Sequence, residues 1–126
     1  MAEYTIKPKI EIKITDEDID DIMSAALEGG VNYWCYRVDV VGGNYLGEWA
    51  HEQISRGGRL RLFDAESDDT WILSRKKFLE GFRRWVEKGY DSNGACSSNG
   101  VDCCLIDAGD ADVIVQLAIF GDVVFG

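Results

Sequence analysis

A chain of 126 residues has room for one domain of ordinary size, and its 46% hydrophobic and 11% aromatic residues are enough to give that domain a core. A net charge of −10 argues against nonspecific DNA binding and against docking on an anionic membrane, since both need a cationic face. No apolar run approaches the roughly 20 residues of a membrane span, and Met1–Lys13 lacks the apolar block and small-residue cleavage site of a signal peptide.

In chain order, Lys9–Ile14 alternates charged residues with isoleucine, the period-two pattern of a half-buried strand. Thr15 suits an N-cap, with Asp16, Glu17 and Asp18 in a first turn where the helix dipole favours negative charge. Ile19, Ile22, Met23 and Ala26 recur at helical spacing, and Gly29-Gly30 is expected to stop this helix as its C-cap. Tyr33–Val41, rich in aromatic and β-branched residues, predicts a strand ended by the turn Gly42-Gly43-Asn44. Leu46–Ser55 predicts a short helix lined by Leu46, Trp49, Ala50 and Ile54. Past Gly57-Gly58, Arg59–Asp64 and Thr70–Leu73 read as a hairpin joined through the polar stretch Ala65–Asp69.

Ser74 is expected to cap a second long helix, with Phe78, Leu79, Phe82, Trp85 and Val86 on one face and Gly89 at its end. Residues 90–104 are dense in Asp, Ser, Asn and Gly and read as a loop. A third helix starts near Asp107 and carries Val113, Ile114, Leu117, Ala118 and Phe120 to Gly121, before a short final strand at Val123–Phe125. The order β-α-β-(α)-β-β-α-α-β points to an α+β fold, one compact domain over 1–126 with a mainly antiparallel sheet and about three helices.

Charge is unevenly spread. Residues 1–47 carry 4 basic and 9 acidic side chains, residues 48–88 carry 9 and 8, and residues 89–126 carry none and 6. Six of the seven arginines, Arg56, Arg59, Arg61, Arg75, Arg83 and Arg84, therefore lie between two acidic ends. The four cysteines, Cys35, Cys96, Cys103 and Cys104, form no C-x-x-C pair, and His51 is the only histidine, so zinc-site spacing is absent. With no secretion signal the thiols are expected to be reduced and without chemistry.

Enzymatic constellations are sparse. Any triad must use His51, and Cys35 with His51 is the only Cys-His pairing with a workable layout. Glu48-x-x-His51 is half of a carboxylate-bridged dimetal pattern with no second copy. Asp107, Asp110 and Asp112 lack the spacing of a calcium loop and suit a helix N-terminus instead. No phosphate-binding or dinucleotide glycine fingerprint occurs. The expectation is a protein that is not an enzyme, with no cofactor and no metal.

Two segments are less ordinary. Gly29–Tyr36 sets three aromatics just after a double glycine, and Ile54–Arg59 sets a hydroxyl and two arginines around another. Glycines let backbone N–H groups approach an anion, arginine supplies a planar fork for phosphate, and tryptophan offers a stacking face. Together they outline a nucleotide-sized site. Ser55, Arg56, Gly57 and Gly58 would hold phosphate, Arg59 would assist, and Trp34 or Trp49 would stack the base; the alternative is that the tryptophans are core and the glycines are turns.

The segments Gly-Gly-Val-Asn-Tyr-Trp-Cys at 29–35, Tyr-Leu-Gly-Glu-Trp-Ala at 45–50, Gln-Ile-Ser-Arg-Gly-Gly at 53–58 and Phe-Gly-Asp-Val-Val-Phe-Gly at 120–126 carry a resemblance. Over about Glu11 to Gly126 the chain resembles a family of small acidic proteins encoded by phages, prophages and mobile elements of anaerobic gut bacteria. The resemblance transfers no catalytic residue. It implies a context, the cytoplasm of a bacterial host cell, and a role similar in kind to inhibitors of bacterial defence.

The resulting expectation is a binding protein that counters host antiviral defence by sequestering a nucleotide-type signal. The alternative is an acidic nucleic-acid mimic, anti-CRISPR-like, that blocks a defence nuclease through the carboxylates of residues 16–21 and 102–112. A third reading is a phage structural or regulatory protein with no small ligand. The partner is thus a nucleotide-type ligand or a host defence protein, with no direct nucleic-acid binding. Homo-oligomerisation is expected, because four tryptophans and an unpaired C-terminal strand are much to hide in 126 residues.

Overall fold

The computed structural model describes all 126 residues. Helix α1, Asp16–Ala25, begins where a capping box satisfies its first amides: Thr15 Oγ1 accepts from the Asp18 N–H at 3.1 Å, and Asp18 returns the bond to the Thr15 N–H at 2.9 Å. Its apolar stripe buries Ile19, Ile22 and Met23. The helix does not stop at a left-handed glycine. It widens into a π-turn over Ala26–Gly30, and both Gly29 and Gly30 keep ordinary negative φ. Gly30 is needed for proximity instead, because a Cβ there would run into the Ala108 carbonyl oxygen.

Strands β1 (Cys35–Val40), β2 (Leu60–Asp64) and β3 (Thr70–Leu73) form an antiparallel sheet in that order, and the β2–β3 hairpin is the one that the alternation and the polar 65–69 turn predict. Its inner face pairs Val40 with Leu60 and Leu60 with Leu73, and places Leu62 between Val38 and Trp71. Helix α2, Arg75–Glu87, is capped by Ser74, and it buries Phe78, Gly81, Phe82 and Trp85. After a two-residue ladder of β4 (Cys96–Ser97) and β5 (Gly100–Val101), helix α3 runs over Ala108–Phe120. Asp107 and Asp110 form its capping box, and Gly121 closes it in the left-handed conformation at φ 75°. Helix α3 is the central element, packed on α1 and its π-turn, on α2 and on β3. One contiguous cluster of 20 buried apolar residues joins all of these, so the architecture is α+β in one domain.

Three expected elements are absent, each for a nameable reason. Lys9–Ile14 keeps its alternation, with Ile12 and Ile14 half-buried and Glu11 and Lys13 exposed, but no strand lies beside it and it makes no ladder. Leu46–Ser55 holds only a 3-10 turn at Ala50–Glu52. Gly47 takes φ 77°, and the fully buried Gln53 amide bonds Leu46 N–H and the Leu46 and Trp49 carbonyls, each at 2.8 Å. Val123–Phe125 is not a strand either, because Gln116 takes a strand's place. Its Oε1 accepts the Val124 and Phe125 N–H groups at 2.8 Å, and its Nε2 donates to the Phe125 carbonyl at 3.3 Å. No helix is long and apolar enough to cross a membrane.

Candidate functional site

The seven residues proposed to hold a nucleotide separate into two groups. Trp34, expected as a stacking face, is 2% exposed. Its indole lies parallel to Phe125 with centroids 5.0 Å apart, Trp71 and Phe120 close around it, and Nε1 donates to Asp112 at 2.7 Å. No face is left for a base. Ser55, expected on phosphate, is also internal: Oγ donates to Asp20 at 2.5 Å and ties the loop to α1. These two placements correct the site drawn from sequence, and the cause is common to both. A core polar tie and a ligand tie use the same residue types, and only tertiary contacts separate them.

The other five residues stay near the surface. Trp49 is exposed, with its ring parallel to His51 at 6.5 Å. Arg56 is exposed and 3.6 Å from Glu52. Gly57 turns the chain at φ 87°, Gly58 follows, packed near the Gln53 carbonyl and Leu46, and Arg59 is exposed with no ion pair. The structure adds Arg75, which the sequence reading counted only among the six arginines between the acidic ends. Its Nη1 donates to the Ser55 carbonyl at 3.1 Å, and its guanidinium lies 3.9–4.0 Å from where a Gly57 Cβ would be. The hairpin carried that information, since the Leu60–Leu73 pairing sets Arg59 beside the start of α2. The Arg75 guanidinium therefore sits beside Gly57, while the Arg56 guanidinium lies by Gly47 against Glu52, and Arg59 follows Gly58.

A second surface assembles carboxylates from chain-distant segments. The Cys103 thiol, in the 3-10 turn Cys103–Leu105 before α3, lies 3.6 Å from the Asp18 carboxylate. Burial, then the Asp18 charge with Asp21 and Asp102 adding, pushes this thiol up to about 12. Cys96 is likewise pushed up to about 12 by burial, then by Asp91, with Asp18 contributing. The Asp110 carboxyl is raised by burial, with the Asp107 and Asp91 charges adding to it. Residues 18–21, 91 and 102–110 thus share one negative field. Asp18 and Asp20 spend oxygens on Thr15 and Ser55, whereas Asp16, Glu17 and Asp21 are exposed and make no internal hydrogen bond.

The residues singled out as catalytic candidates have partners of their own. Cys35 donates to the Arg37 carbonyl at 3.3 Å, and burial raises its thiol. His51 stacks on Trp49. Asp112 points away from Asp107 and Asp110 into the core, and no group of three or more His, Cys, Asp or Glu side chains is placed to hold a metal ion. All four cysteines are free thiols. Comparison with known protein families, curated proteins and solved structures finds no match to this chain. The resemblance to phage-encoded proteins therefore rests on the four short segments alone.

Proposed function

We propose that the protein is a non-enzymatic inhibitor of phage or mobile-element origin that acts in the cytoplasm of a bacterial host and blocks a nucleic-acid-binding protein of its antiviral defence. The working surface is the acidic face that runs from the first turn of α1 to the first turn of α3. The observation that carries this reading is the convergence of Asp18 and Asp21 of α1 with Asp91 and Asp102 from distant segments around the Cys103 and Cys96 thiols, which burial first and these carboxylates second raise to about 12. Carboxylates fixed on capped helix ends compete with phosphates for the lysines and arginines of a cationic channel without being bound and released as counterions. Tight occupation needs no nucleophile and no general base.

The acidic face thus moves ahead of the nucleotide site, two of whose seven residues face inward. A reduced form of that site stands as the second reading. It is favoured by Arg75 beside the positive-φ Gly57 and by the exposed Arg59, which makes no ion pair.

The two readings part in one experiment. Purified defence nucleases with cationic channels are incubated with the protein and then offered labelled DNA, while the protein alone is melted with cyclic nucleotides and ADP-ribose derivatives. The acidic-face reading expects DNA loading to be blocked competitively and no nucleotide to raise the melting temperature. A nucleotide that stabilises the fold, with the gain lost in Arg75→Ala, transfers the function to the loop. Unhindered DNA loading across the nuclease panel contradicts the acidic-face reading.

A further inference from the structure

Residues 1–14 form an arm without regular secondary structure, and their backbone hydrogen-bonding groups are unused. None of them makes a hydrogen bond within the protein, although Lys9–Ile14 alternates as a strand does. Ile12 and Ile14 pack on the core, and with Pro8 and Ile10 they line a groove of about 790 Å³ against Leu79, Phe82 and Val86 of α2. Tyr4 and Ile6, outside that contact, are 90% and 83% exposed, and Ile10 within it is still 57% exposed. An apolar extended edge with free amides is a template for strand pairing. Val123–Phe125, expected to offer such an edge, has its amides taken by Asp122 and Gln116.

We propose that the occupant of this edge is a second copy of the arm, paired antiparallel about a two-fold axis at Ile12. The charges along the arm select this partner and this register. With Ile12 opposite Ile12, Ile10 faces Ile14 on the apolar side, and Glu11 faces Lys13 on the solvent side, twice over by symmetry. Centring the pair on Glu11 opposes Glu11 to itself and Lys9 to Lys13, and centring it on Ile10 sets Lys9 against Glu11 but opposes Lys7 to Lys13 and Ile12 to Pro8, which has no N–H for the ladder. Only the Ile12 register satisfies both faces, and it covers the exposed Ile10 with the isoleucine that follows Lys13 in the second copy. A one-residue slip between these registers would place isoleucine against charge.

The test is a charge-swap cycle read by sedimentation equilibrium at low ionic strength, with circular dichroism confirming that each variant is folded. Glu11 and Lys13 are exposed and unbonded, so their substitution leaves the fold intact. The wild type is expected to be a dimer. Glu11→Lys and Lys13→Glu, each placing like charges in opposition at two symmetric positions, should each weaken it by about tenfold. The double variant Glu11→Lys with Lys13→Glu restores opposite charges and should recover wild-type association. A monomer at high micromolar concentration, a dimer indifferent to both single changes, or single-variant losses without rescue in the double variant each overturns the proposal.

Discussion

Asp112 is a 6% exposed carboxylate with no cation beside it, held by the Tyr33 hydroxyl at 2.6 Å, Trp34 Nε1 at 2.7 Å and Gln116 Nε2 at 2.9 Å. Three donors replace the water it loses, which is how a charge is tolerated inside without a salt bridge. Desolvation first, then the bond to Asp112, pushes the Tyr33 phenol from its ordinary 10.0 up to about 12. Between those values the folded protein keeps a proton that the unfolded chain has lost, so stability falls as pH rises through this window. Tyr33→Phe should therefore be less stable than wild type at pH 8, with the gap in urea midpoints closing between pH 10 and 12. A gap that stays constant to pH 12 contradicts the assignment. Little of this was legible in the sequence. Asp112 sits five residues past a helix cap and looks like another end-of-helix acid, and Trp34 looks equally suited to a ligand or a core. Composition gives each residue its capability, but only the fold says which partner exhausts it.

At the scale of elements, what was legible was local. Thr15, Ser74 and Asp107 cap α1, α2 and α3 as their neighbours in sequence require, and the hairpin of β2 and β3 follows from alternation around a polar turn. What was not legible was pairing at a distance. Lys9–Ile14 and Val123–Phe125 carry strand patterns, yet one has no neighbour within the chain and the other finds a glutamine side chain instead of a strand. Glycines divide in the same way. Gly81 on α2 faces α3 so closely that a Cβ would meet Ala118 N, Cα and Cβ at 2.5, 2.6 and 2.6 Å, while Gly29 has open space and an ordinary φ. Gly81→Ala should destabilise the protein by about 2 kcal/mol or more, because prying α2 from α3 outweighs the roughly 1 kcal/mol that alanine gains in a helix. Gly29→Ala should be neutral or stabilising by up to about 1 kcal/mol. Urea unfolding of the two variants side by side checks the contrast, and equal effects would contradict the packing of α2 on α3.

For the molecule as a whole, the acidic and basic blocks of the sequence meet at Ser55, whose hydroxyl donates to Asp20 of α1 and whose carbonyl accepts from Arg75. Asp18 and Asp21 of α1 share one field with Asp91, Asp102 and the start of α3, whereas the Arg75 guanidinium lies beside the Gly57 turn and that of Arg56 against Glu52. The sequence shows the blocks but not their meeting, since residues 18 and 103 come together only because the turn before α3 docks on α1. The central claim is that this acidic field does the binding. Its most direct measurement is the salt dependence of affinity for a defence nuclease that the protein blocks, comparing wild type with the triple variant Asp16→Asn, Glu17→Gln, Asp21→Asn. These three side chains are exposed and make no internal hydrogen bond, so the variant keeps the capping box and the Ser55 tie to Asp20. The account predicts wild-type binding that weakens steeply as salt rises, and a variant that binds at least tenfold less tightly with a shallower slope. Equal affinity and equal salt slope for the two proteins would contradict it.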